Sequence, residues 1–155
     1  MQANAPTITL PRAAVALERP AAALRRFLVR NPGFCLVRAP ALQPRFSFID
    51  LVRLGFVTLL TESGFPEPDA LRVVDGTLDR RLYGLALCSV PVPVSMLQSR
   101  LWNAAWHICP GTPPLVSHVE DGPPLAAVCL TINLEALTAD LAERLNATAN
   151  TKEAA

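Results

Sequence analysis

Ser47-Phe48-Ile49-Asp50-Leu51-Val52-Arg53-Leu54-Gly55-Phe56, closing at Gly64-Phe65, decides how this chain is read. Ser47 with an acid three residues later, Asp50, has the form of a capping box built with the shorter carboxylate. Leu51, Val52, Leu54, Phe56, Leu59 and Leu60 then recur at helical spacing. Gly64 offers the left-handed residue on which a helix ends, and Phe65 the hydrophobic contact that follows it. The spacing predicts a helix over 48–63, delimited at both ends.

Upstream, Thr9 is a candidate N-cap for a first helix with Pro11 in its first turn and Ala13, Ala14 and Leu17 as its apolar stripe, ending near Glu18. Pro20 presets φ for a second helix over 21–29, with Leu24, Phe27 and Leu28 on one side and Arg25, Arg26 and Arg30 on others. Two short helices joined by so brief a turn have the spacing of a helix-turn-helix. Asn31-Pro32-Gly33 stops the second. Extended segments at 34–37 and 45–47, around a proline-bounded loop at 39–44, read as a hairpin wing. A short fourth helix is expected over 69–74.

This order resembles the DNA-binding domain of the MerR family of bacterial regulators over about residues 7–74. Ala23-Leu24-Arg25-Arg26-Phe27 looks like the Leu-Arg-aromatic run of that family's second helix. Asp50-Leu51-Val52-Arg53-Leu54-Gly55-Phe56 with Gly64-Phe65 is similar to its helix after the wing, and residues 68–74 fall where its short fourth helix begins. Arg19-Pro20 replaces the usual Ser or Thr cap, and no long coiled-coil helix follows, so the family's sensing features are not carried over. The resemblance implies a winged helix-turn-helix joined to a different partner domain. Phage-type repressors, excisionases and packaging subunits use similar modules.

The second half is read as a small α+β domain over 78–145, with a flexible tail at 146–155. Asp75-Gly76 is read as a turn and the boundary between halves. An extended segment is expected over 83–94, a helix over 95–108 whose Trp102 and Trp106 share a face, a hairpin of 116–119 with 125–132, and a last helix capped by Asn133. Leu134, Leu137, Leu141 and Leu145 form a narrow stripe on that helix, which packs on its own sheet or against a second copy, and they are the candidate dimerisation residues.

Across 155 residues, 51% are hydrophobic and 17% charged, which suits one ordinary core or two small ones and excludes a disordered chain. The net charge of +1 hides an asymmetry. Residues 1–60 carry eight arginines against Glu18 and Asp50, a balance of +6, while residues 61–155 carry six basic and eleven acidic residues, a balance of −5. An arginine-rich first part suits a polyanion, because the guanidinium fork fits phosphates and guanine edges. Arg19, Arg25 and Arg26 are placed at the major groove, Arg38 and Arg45 on the wing, and Arg12 at the backbone, whereas Arg53 is assigned to structure.

No run supplies a membrane span and no signal peptide opens the chain, so a cytoplasmic protein with reduced thiols is expected. His107, Cys109 and His118 fit no closed zinc spacing, and neither metal nor cofactor is expected. No nucleophile signature or glycine-rich phosphate loop is present, so an enzyme is not expected. The reading is a sequence-specific transcriptional regulator of bacterial or phage type, acting as a homodimer on double-stranded DNA, with the second half free for a protein partner or ligand. The other reading is an antitoxin or assembly adaptor that uses the winged fold for protein contacts.

Overall fold

The computed structural model of the chain describes residues 2–35, 45–101, 105–109, 114–119 and 130–153. Helices and two small antiparallel sheets make it an α+β protein. In chain order the elements are β1 (Ile8–Thr9), α1 (Leu10–Ala16), α2 (Ala21–Arg30), β2 (Arg45–Phe46), α3 (Phe48–Glu62), α4 (Glu67–Val73), a π-helical turn (Val74–Leu78), α5 (Asp79–Ala86), α6 (Val94–Arg100), β3 (Ala105–Cys109), β4 (Leu115–His118), β5 (Leu130–Asn133) and α7 (Leu134–Glu153).

α3 is buried without interruption from Phe48 to Val57. A helix shielded on all sides must be wrapped by other elements, and α4, the π-helical turn, α7 and β2 all contact it. Its ends are closed as expected. The Ser47 hydroxyl accepts from the Asp50 N–H at 3.1 Å, and the Asp50 carboxylate accepts from the Ser47 N–H at 3.1 Å and from the Ser47 hydroxyl at 2.7 Å. At the other end Gly64 adopts φ +91°, Gly64 N–H donates to the Thr61 carbonyl, and Phe65 N–H donates to the Leu60 carbonyl. The Thr61 and Leu60 carbonyls are thereby met.

Arg53 projects from this buried helix with only 3% of its side chain exposed. Its Nε and Nη2 donate to the two carboxylate oxygens of Asp79 at 2.6 and 2.7 Å, and Nη2 also reaches Asp75 at 3.4 Å. The guanidinium lies 4.3 Å over the Phe34 ring. The expected turn at Asp75-Gly76 is therefore not formed. Helix continues from Glu67 to Ala86, and the π-helical widening brings Asp75 and Asp79 to the same cation. Partial desolvation at a largely exposed site, and then the neighbouring Asp79 charge, hold the Asp75 carboxyl above its usual range, against the opposing pull of Arg53.

α7 contacts α1 and α3. Leu134, Leu141 and Leu145 are buried and Leu137 is half-buried, so the proposed dimer stripe is packed inside its own chain. Gly55 permits the close approach, because a Cβ there would stand 3.2 Å from Leu141 Cδ1 and 3.3 Å from Leu137 Cδ1. Asn133 caps α7 through a bond from the Ala136 N–H to its side-chain oxygen. The helix then runs to Glu153, through most of the segment read as a tail.

Other expectations change. The extended segment placed over 83–94 begins as the end of α5. The helix expected over 95–108 divides into α6 and β3, so Trp106 lies on a strand, while Trp102 falls outside the described residues. Trp106 and Ile108 are both buried two residues apart, a strand period inside what reads as a helical run. β4 and β5 do not pair with each other; β3 lies between them, with Trp106 opposite both His118 and Ile132. β2 pairs with β1, Ile8 opposite Phe46. Phe34 and Cys35 are outside any strand, and residues 36–44, with the rest of the expected wing, lie outside the described residues. Cys35, Cys88 and Cys109 are free thiols. Among the described residues no helix is long and apolar enough to cross a membrane.

Removing one partner of a buried ion pair strands the other, so Asp79→Asn is expected to lower unfolding free energy by about 3 kcal/mol. Asp75→Asn, at the exposed and longer contact, is expected to stay within about 0.5 kcal/mol of the parent. Denaturant midpoints of the two variants check this, and equal losses would refute it.

Candidate nucleic-acid interface

The turn between α1 and α2 has its own stop signal. Glu18 takes φ +52° with its N–H on the Val15 carbonyl, and Arg19 N–H reaches the Ala14 carbonyl. A non-glycine residue thus fills the left-handed position that ends α1. Its carboxylate meets Arg144 of α7 at 3.2 Å. Thr9 occupies the N-cap of α1 with extended backbone, but its side chain makes no capping bond.

From that turn α2 packs through Leu24 and Phe27, and Phe27 meets Phe34 edge-on at 5.0 Å. Both ends of the helix are tethered. Arg19, just before it, pairs with Glu62 at the end of α3 at 2.6 Å. Arg30, in its last turn, forks onto Glu67 at 2.6 and 3.3 Å, and Asn31 adds a bond to the same carboxylate at 3.0 Å. The hydrogen bonds from Arg30 and Asn31 and the charge of Arg30 hold the Glu67 carboxyl below its usual range, against the opposing effect of burial. Burial and the Asp50 charge push the Cys35 thiol up to about 12, which leaves it protonated and unreactive beside this site.

The opposite side of α2 is open. Ala22, Arg25, Arg26 and Val29 are exposed, and Arg25 and Arg26 make no ion pair with a described residue. Arg45 is exposed on β2, opposite Thr9 in the register. Among the described arginines of the first half, these three are the ones left for an outside partner. The other predicted contacts are differently placed. Arg12 donates to the Leu145 carbonyl of α7 at 3.1 Å, with its Nε buried and without a partner among the described residues. Arg19 is engaged with Glu62, and Arg38 lies outside the described residues. Arg30, weighed in the sequence only as an outer-face residue, proves to be a tether, which its position in the last turn did not reveal.

No three His, Cys, Asp or Glu side chains converge as metal ligands among the described residues. His107 sits opposite Ser117 and His118 opposite Trp106, so the two histidines hold alternate register positions and not paired ones.

Because its folded-state carboxyl is depressed, Glu67 stabilises the fold above the ordinary carboxylate range and loses that contribution as pH falls through its folded value. Glu67→Gln is expected to be less stable than the parent at neutral pH, the gap closing below about pH 4. Thermal midpoints across pH 3–8 check this, and a pH-independent gap would contradict it. Against known proteins, no family model matches the chain and no curated protein matches it significantly, so its function is read from its own residues.

Proposed function

We propose that this protein binds double-stranded DNA sequence-specifically, as a regulator whose α1–turn–α2 unit is a helix-turn-helix and whose α2 enters the major groove. One observation carries the reading: among the described arginines of the first half, Arg12, Arg19, Arg30 and Arg53 are committed to internal partners, whereas Arg25 and Arg26 stand outward on a helix tethered at both ends. A helix presenting two guanidinium forks unpaired among the described residues suits readout of guanine edges or paired phosphates. Arg45 on β2 suits a flanking phosphate.

A single unit contacts few base pairs, so two copies on two half-sites are proposed. Their contact uses a surface other than the leucine stripe of α7, which the chain fills itself. Binding to DNA places the protein in the cytoplasm, where reduced thiols are the rule. The adaptor reading has one observation in its favour: Leu87, Val90 and Met96 are 59%, 61% and 49% exposed near one another in sequence.

Selection of bound duplexes from sheared bacterial and phage DNA at two salt concentrations tests the proposal. A recovered motif whose binding weakens steeply with salt supports it. On that motif Arg25→Ala and Arg26→Ala are each expected to cost about 10-fold or more in affinity with the thermal midpoint unmoved. Recovery of no DNA by the folded protein overturns it and turns attention to the exposed apolar residues.

A further inference from the structure

We infer that Val29 is a specificity-determining residue that reads the C5-methyl group of thymine one or two base pairs from a guanine contacted by Arg25 or Arg26. This rests on the DNA-binding reading of α2. Val29 is 77% exposed, the highest among the large exposed hydrophobics described. Its place on the helix gives that exposure a direction. At about 100° per residue, Ala22 and Val29, seven apart, fall within about 20° of one another, and Leu24 and Phe27 lie on the far side of the axis. Leu24 and Phe27 are the residues that α2 buries. Val29 and Ala22 therefore form the crest of the helix, the line that goes deepest when its outer face enters a groove.

Arg25 and Arg26 precede Val29 by four and three residues, the offsets of side-chain neighbours on a helix, and they fall on either side of the crest. The result is an apolar ridge between two cationic rails. Charge selects the partner, since two unpaired guanidinium groups beside the ridge disfavour an apolar protein surface and favour a polyanion. Within the DNA major groove the apolar feature of a base edge is the thymine methyl, and it is the one an exposed valine can cover. Three to four residues of helix rise about 4.5–6 Å against about 3.4 Å per base pair, which sets the spacing between the thymine and the arginine contact.

The test uses the full chain and the motif selected above, in duplexes with each thymine replaced in turn by uracil, which removes only the methyl group. The parent is expected to lose about fourfold in affinity at one such position, adjacent to or one pair removed from a guanine, and Val29→Ala to bind the thymine and uracil duplexes equally. Because Val29 is exposed, its truncation leaves the thermal midpoint in place, and that measurement excludes misfolding. Should DNA be selected but every uracil substitution affect parent and Val29→Ala alike, the assignment of Val29 falls while the DNA-binding reading stands. Should no DNA be selected, both fall.

Discussion

A guanidinium enclosed in protein needs its charge answered on the spot, and the contacts around α3 supply that answer to Arg53, although its buried Nη1 has no hydrogen-bond partner among the described residues. Asp79 takes a bidentate fork from it, Asp75 a longer contact, and Phe34 presents a ring face to the cation. Each comes from a different segment: the start of α5, the π-helical turn, and the stretch after α2. The two aspartates can converge because the helix widens by one residue at 74–78 instead of turning away. Phe34 in turn seats Phe27, so the same cation is one contact removed from the core face of α2. Such pairs add little net stability over an apolar core, but they penalise every arrangement in which the charge is left alone.

The candidate interface is anchored next to this arrangement. Leu24 and Phe27 pack inward, and Arg19 and Arg30 pair with glutamates of α3 and α4, so α2 is joined to the body by core contacts and by an ion pair at each end. Preorganisation of that kind lowers the ordering cost of binding, so that contacts by outward side chains count toward affinity. The arginines of the first half thus divide by role. A cation at a helix end beside an acidic neighbour becomes a tether, and one on the crest side of α2 stays available.

The joining of the two halves follows the same logic. Ala3 accepts from the Ile49 N–H at the start of α3 and donates to the Val92 carbonyl, while Asn4 bonds Cys88, Val90 and Val92. α7 closes over α1 and α3, and Phe56 of α3 lies 6.4 Å from Trp106 of β3, itself beneath Arg81. A hydrophobic cluster extends from Ala3 to Leu145. Segments from both ends of the chain therefore share the apolar contacts on which α3 depends.

Local chemistry was legible from residue order. The Ser47/Asp50 box, the Gly64-Phe65 stop, the Asn31 stop of α2, the Asn133 cap of α7 and the open arginines of α2 each depend on a few neighbouring side chains and bonds three to five residues long. What only the tertiary structure decided depends on partners distant in sequence. Asp75-Gly76 carries a turn signal, yet it stays helical on the way to Asp79, which a buried cation 26 residues away engages with a bidentate fork. The run at 95–108 permits a helix, but strands on both sides of β3 impose a period of two on Trp106 and Ile108. The leucines of α7 have the spacing of a dimer seam, and whether such a stripe faces a second copy or its own core is set by what else needs covering. Here α1 and α3 need it, and Gly55 makes room.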